Sequence, residues 1–363
     1  MVSALAHVGW ESCLIDPRRD RALETYARRK TGVRLPTVRY FSSVPWLARA
    51  TVDLHPEFGL LMHLDLHQVG ILVLVVSQEN SCRFCYAAIR MLLWAQGMSE
   101  ERIQDIEQKL SQTDLTPKTI AAIAFARRQS RVGPQGAREA RQMLREAGFS
   151  DEEMKELAFV VGVTDFFNRV TTIPAIPAQF LERMPEQFSM RLLRPLFKYI
   201  MGRKRSRGRA TPLERPPTYP YAGLVNAYAG SPIALALRRT TEEMWESPIL
   251  TRRCKLLMLA VIARGLGCQV CATEIEGALQ QEGLGEPALA QVLTHLDAPE
   301  LDDVERVLVR FARETIWYEP AALQRRARAL CDRLSEPQLI ESIGVASLGN
   351  GLCRMGATVM GCS

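Results

Sequence analysis

The chain has 363 residues, is 47% hydrophobic and 24% charged, and carries a net charge of +6. This is the composition of a folded globular protein and excludes a disordered or collagen-like chain. Its length exceeds the usual single core, so two domains are expected.

From the N-terminus, Met1-Val2-Ser3-Ala4 opens without the basic, apolar and cleavage pattern of a secretory leader, so a cytoplasmic location is expected. Asp65 is placed to cap a helix running to about Ser77, whose apolar stretch from Val69 to Val76 is far short of the ~20 residues needed to span a membrane. A short turn, Glu79-Asn80-Ser81, follows, and Cys82 and Cys85 then open the next helix. Ser99-Glu-Glu-Arg, Ser150-Asp-Glu-Glu and, in the second half, Ser335-Glu-Pro-Gln read as helix starts, a hydroxyl cap followed by acids or proline. Leu157, Val160, Val161 and Val163 form an inward stripe on the helix after Ser150.

Between Arg191 and Arg215 stand Arg191, Arg194, Lys198, Arg203, Lys204, Arg205, Arg207, Arg209 and Arg215 against a single acid, Glu214. Residues 202–217, rich in glycine, proline and positive charge, read as a solvated linker. The preceding apolar residues Phe188, Met190, Leu192, Leu193, Leu196, Phe197 and Ile200 interleave with the charges as in a helix lying on an anionic membrane. Pro195 interrupts that helix. An amphipathic connector docked on a domain is therefore expected for 188–209, without membrane or nucleic-acid contact.

After the linker the first half's pattern returns. Thr251 can begin a helix to about Arg264, Gly265-Leu266-Gly267 makes the turn, and Cys268 and Cys271 open the next helix, 186 residues after Cys82 and Cys85. At the same offset Gly97 meets Gly283 and Phe125-Ala126-Arg127 meets Phe311-Ala312-Arg313. At an offset of 185, Ser150 meets Ser335, Glu156 meets Glu341 and Arg169 meets Arg354. The expectation is an all-α chain of two tandem modules: 1–201 with an N-terminal extension and the connector, the basic linker 202–217, and 218–363. No alternating strand pattern competes.

A helix N-terminus favours negative charge, so a cysteine there is inclined to the reactive thiolate form, and a second thiol one turn away can resolve its oxidised product to a disulfide. Structural zinc is the competing use of four such thiols. The 182 residues between Cys85 and Cys268 are far more than the ~15–20 of a zinc ribbon, so redox use is expected and no metal. Cys13, Cys254, Cys331, Cys353 and Cys362 stand alone and are expected to be inert.

The runs Val75-Val76-Ser77-Gln78-Glu79-Asn80-Ser81-Cys82-Arg83-Phe84-Cys85 and Leu259 through Cys271, with Asp165-Phe166-Phe167-Asn168-Arg169-Val170, resemble the alkylhydroperoxidase D-like, or carboxymuconolactone decarboxylase, family over most of both repeats. The resemblance implies an all-α module that assembles as a trimer or hexamer and reduces a hydroperoxide with electrons from a dithiol donor, without a bound cofactor. It assigns Cys85 and Cys271 as peroxidatic and Cys82 and Cys268 as resolving. It also implies a proton relay, a glutamate twelve residues before the first cysteine and a histidine four after the second. Here those positions hold Gly70 and Ile89, and Leu256 and Ile275.

Peroxide chemistry needs a group that moves protons. His67, three residues before Gly70 on the same helical face and paired with His63, and Glu79, three before Cys82, are the candidate replacements. Arg83, Arg90 and Tyr86 are expected to favour a thiolate at the first pair, whereas Glu274 and Glu276 disfavour one at the second. The alternatives are a catalytically lapsed binding or scaffold protein on the same fold and, less expected, a lactone decarboxylase.

Overall fold

The computed structural model describes residues 5, 7–33, 35–108, 115–132, 137–178, 181–182, 192–196, 198–199, 203, 205–214, 217 and 219–361. Among them the chain is helical, with two isolated bridges, Phe58 with Ser206 and Thr211 with Gly230, as its sole β pairing. The first half contains α1 (Arg21–Thr31), α2 (Thr37–Tyr40), α3 (Pro45–Asp53), α4 (Leu66–Glu79), α5 (Arg83–Ala95), α6 (Glu100–Gln108), α7 (Pro117–Val132), α8 (Ala137–Glu146) and α9 (Asp151–Thr172). The second contains α10 (Ala222–Ala227), α11 (Pro232–Glu246), α12 (Arg252–Leu266), α13 (Gln269–Gln281), α14 (Glu286–His295), α15 (Asp303–Glu314), α16 (Pro320–Leu330) and α17 (Glu336–Val359).

Four successive helices, α4 to α7, start at 66, 83, 100 and 117, and α12 to α15 start at 252, 269, 286 and 303, each 186 residues later. The caps foreseen from the sequence are formed. Asp65 accepts the His67 N–H, Thr251 accepts the Cys254 N–H, and capping boxes at Ser150/Glu153 and Ser335/Gln338 begin α9 and α17. Such caps satisfy donors that a helix start leaves without partners, each worth about 1 kcal/mol.

α9 and α17 are apolar almost all round and buried along nearly their whole length, as expected of helices in the centre of a core. They pack along one another, and their backbones touch where Gly162 meets Gly351. A methyl group on Gly351 would lie 2.6 Å from the Gly162 carbonyl oxygen, so only glycine permits this approach. α4 packs on α5, α7 and α9, and α12 packs likewise on α13, α15 and α17.

Matched residues perform matched tasks. The buried Glu156 carboxylate accepts the backbone N–H groups of His63 and Leu64 ahead of α4, and the buried Glu341 carboxylate accepts those of Leu250, ahead of α12, and the Trp46 indole. Arg169 donates across the centre to Thr315 O at 2.9 Å, and Arg354 donates in return to Gln129 O at 3.1 Å. Thr315 lies 186 residues after Gln129. This reciprocity is what an isologous interface produces. It breaks at one point, where Asp165 pairs with both Arg354 (3.0 Å) and Arg169 (3.4 Å) while its counterpart Asn350 carries no charge.

The halves do not have separate cores. The buried apolar side chains form one cluster from Leu5 to Met355, and α3 of the first half packs on α11 of the second. The described part of the linker is not a free tether either. Ser206 and Gly208 donate to the carbonyls of Glu57 and Leu61, and Arg205 forms an ion pair with Glu57 at 3.2 Å. Neutralisation by a buried acid draws this basic segment onto the protein.

The amphipathic connector departs from expectation. Phe188, Met190, Phe197 and Ile200 lie outside the described residues, while Leu192, Leu193 and Leu196 are exposed. Arg194 makes the docking contact instead, donating to Trp94 O at 3.0 Å and stacking on the Trp94 ring. Among the described residues no helix is long and apolar enough to cross a membrane.

Candidate active site at the first cysteine pair

Ser81, in the left-handed region with φ of 50°, turns the chain out of α4, and Cys82 becomes the N-cap of α5 with its Sγ accepting the Cys85 N–H at 3.4 Å. The second pair is delivered the same way, with Gly267 at φ 68° preceding Cys268, the N-cap of α13. In the first pair, Thr171 on α9 sits with its Oγ1 3.3 Å from each sulfur. Cys82 is fully buried, whereas Cys85 borders a cavity.

The two thiols share one charge. Burial opposes ionisation of Cys82, but hydrogen bonds from Cys85, Thr171 and Thr172 outweigh it and hold the thiol down at about 7. Burial, the hydrogen bond to Cys82 and the Cys82 charge push the Cys85 thiol well up. The arginines expected to favour a thiolate do not act on it. Arg83 is paired with Glu182 at 3.1 Å, and Arg90 with Glu107 at 2.7 Å and with Glu100, so their charge is already compensated.

The cavity beside Cys85 has a volume of about 460 Å³ and a mainly apolar wall that includes Phe58, Phe84, Ile89, Met91, Leu92 and Phe167. That volume lies within the range of small-molecule sites. Its polar lining includes His55, Glu57, Ser77, Asn168 and Thr171, with Arg28 and three further threonines, Thr37, Thr51 and Thr164. Three of these carry buried atoms without a hydrogen-bond partner among the described residues, His55 Nδ1, Glu57 Oε2 and Asn168 Nδ2. Buried polar atoms are seldom left so, and a group of them around one cavity indicates where a polar ligand atom is received.

Burial, with the charge of Lys30, lowers His55 to about 4, so its ring is neutral at pH 7. Glu57 is raised by burial, against the opposing pull of Arg205. Its carboxylate lies close to Gly70, since a Cβ built on Gly70 would stand 3.8 Å from Glu57 Oε1. The position where the resemblance expects a glutamate side chain is thus bordered by a carboxylate from the preceding loop. Ile89, at the expected histidine position, lines the same cavity as His55.

The sequence candidates His67 and Glu79 are not brought to the thiols in this way. His67 is exposed on the first turn of α4, where it and His63 do not line the cavity, and Glu79 ends α4 in an ion pair with Arg127 at 2.9 Å. His55, Glu57 and Asn168 were missed as site residues. His55 and Glu57 lie in a loop without a motif, and Asn168 was legible only as part of the Asp165–Val170 run.

At the second pair Cys268 and Cys271 bring their sulfurs within 2.7 Å, both buried, and neither lines the cavity beside Cys85. Cys353, expected to stand alone, joins them, because the offset of 185 puts it where the first half has Asn168. Burial resists charge on Cys353, but hydrogen bonds from Cys268, Cys271 and Tyr221, with the Arg354 charge, hold it well below the usual thiol range. Glu274, expected to repel a thiolate, instead accepts the backbone N–H groups of Tyr221 and Gly223. No family model matches this chain, and no curated protein aligns with it.

Proposed function

We propose that the chain is a tandem member of the alkylhydroperoxidase D-like group that reduces organic hydroperoxides at Cys82 and Cys85. The observation that carries this reading is the position of Cys85, at the wall of an apolar cavity of about 460 Å³ with Cys82 hydrogen-bonded behind it. Hydrogen peroxide would occupy little of that volume, given ~30 Å³ for a water molecule. A hydroperoxide with a bulky apolar body is the matching substrate class.

In the proposed reaction the proton of Cys85 passes to Cys82, and the Cys85 sulfur attacks the distal peroxide oxygen. The S–O bond forms as the O–O bond breaks. The departing alkoxide takes a proton and leaves as the alcohol, stabilised while charge develops by the Asn168 amide and by the neutral His55 ring. Glu57, whose Oε2 is buried at the cavity without a hydrogen-bond partner among the described residues, is the candidate group to relay that proton. The Cys82 sulfur then displaces hydroxide from the Cys85 sulfenic acid, giving a disulfide and, after protonation, water. An external dithiol returns two electrons and two protons.

The test is turnover of cumene hydroperoxide with dithiothreitol, compared with hydrogen peroxide. Wild type is expected to prefer the aromatic hydroperoxide, and Cys85→Ser is expected to lose turnover of both. Equal consumption by wild type and Cys85→Ser would overturn the proposal. The absence of a motif histidine leaves a binding-protein reading, which predicts that an apolar ligand occupies the cavity unchanged and that both variants bind it alike.

A further inference from the structure

We propose that Cys268, Cys271 and Cys353 form a binding site for one soft cation, with monovalent copper as the occupant. The three sulfurs lie within 4.8 Å of one another, and the residues are 0%, 1% and 0% exposed. They come from two elements, the start of α13 and the C-terminal third of α17. A planar set of three thiolates about 2.3 Å from a metal has S–S edges of about 4 Å, so binding requires the close Cys268–Cys271 contact to open by side-chain rotation.

Comparison with the first half supports a ligand-binding arrangement over a second copy of the peroxide site. Where the first half has the Asn168 amide, the second has the Cys353 thiol, and where it has the Thr171 hydroxyl 3.3 Å from both sulfurs, the second has Gly356. A Cβ on Gly356 would fall 3.0 Å from Cys271 Sγ and 3.3 Å from Cys268 Sγ, so glycine keeps that space beside the sulfurs clear.

The donor chemistry selects the metal. Thiolates favour soft cations, and Zn²⁺ ordinarily takes a fourth protein ligand. The nearby Tyr221 hydroxyl is 3.7 Å from Cys353 Sγ, and Glu274 is engaged by the backbone N–H groups of Tyr221 and Gly223. Cu⁺ held by three thiolates makes a complex of charge −2, any thiol proton being released on binding; the N-terminus of α13 lies at the site, and the buried Arg354 guanidinium beside Cys353 is shared with Asp165. Entry is short, because Gly267 and Gln269 on either side of Cys268 are exposed.

The test uses the full chain, reduced with a phosphine under nitrogen and titrated with Cu⁺ supplied as its acetonitrile complex in competition with bicinchoninate. Wild type is expected to retain one copper per chain, and the Cys82→Ser/Cys85→Ser double variant to retain it equally. Cys353→Asn, which installs the first half's residue, and Cys353→Ser are each expected to weaken binding at least ~100-fold and to lose the ultraviolet copper–thiolate band, with circular dichroism confirming their fold. Cys331→Ser, at an exposed cysteine, is expected to change nothing. The proposal is overturned if wild type yields all its copper to bicinchoninate, if the copper follows Cys82 and Cys85, or if either folded Cys353 variant binds as wild type does. Hydroperoxide turnover by Cys353→Asn is expected to be unchanged, which separates this proposal from that for the first pair.

Discussion

The two cysteine pairs occupy the same place in their halves, yet their surroundings differ in every residue that would decide their chemistry. The first has a bridging threonine, an amide with a vacant donor and a cavity of about 460 Å³; the second has a glycine and a third cysteine. Helix position inclines a thiol toward reactivity, but what the thiol can meet is set by the side chains opposite it on α9 or α17. A shared motif therefore does not imply a shared reaction.

The largest expected effect follows from that contrast. Cys85→Ser should lower cumene hydroperoxide turnover by at least ~10³-fold, equivalent to about 4 kcal/mol of barrier, whereas Cys271→Ser should stay within about twofold of wild type. Comparable losses in the two variants would erase the distinction between the pairs.

The asymmetry at the centre should appear in stability. Asp165→Asn makes the two halves alike at this position but leaves Arg169 and Arg354 buried without a carboxylate, at an expected cost of about 3–5 kcal/mol in denaturant unfolding. The converse Asn350→Asp replaces an amide that donates to Thr315 Oγ1, beside the carbonyl that Arg169 reaches, and should cost less. If Asp165→Asn is neutral, the buried cations have another partner.

Acid should act through the first half. His55 titrates at about 4 when folded against 6.5 as its ordinary value, so the unfolded chain binds its proton first. Its contribution is present in full above pH 6.5 and is lost as the pH falls to about 4, amounting to at most ~3 kcal/mol. His55→Phe should flatten stability over that window, measured by urea midpoints at pH 7, 5.5 and 4.5. An unchanged slope would mean that the ring is not held neutral.

The smallest effect lies in the turns. Ser81 adopts a left-handed conformation that Gly267 adopts freely in the other half, so Ser81→Gly should relieve strain by about 1 kcal/mol, and Gly267→Ser should cost about the same. Thermal midpoints of the two variants should move in opposite directions.

Much of the helical framework was legible in the sequence because its signals are local. Asp65, Ser150, Thr251 and Ser335 cap helices by bonds within a few residues, and the repeat offset of 185 linked Glu156 to Glu341 and Arg169 to Arg354, pairs that do equivalent work in the structure. The site was less legible because its chemistry comes from across the core. His55 and Glu57 reach the cavity from a loop of unremarkable sequence, and Cys353 meets its partners only when α17 packs on α13. The same holds for the linker, whose charge suggested solvent until Arg205 was found opposite the buried Glu57. Helical spacing placed His67 on the face of Gly70, but the first turn of α4 projects it outward.

The account turns on which sulfur meets the peroxide. The direct measurement is one equivalent of cumene hydroperoxide reacted to completion with the reduced Cys82→Ser/Cys268→Ser/Cys353→Asn protein in the presence of dimedone, with the adduct located by peptide mass spectrometry. Without Cys82 to take its proton, Cys85 reacts more slowly in this variant. Removal of both resolving thiols and of Cys353, which lies against Cys271, leaves a sulfenic acid where it forms. The account predicts dimedone on Cys85 and none on Cys271; labelling of Cys271 to an equal or greater extent would contradict it.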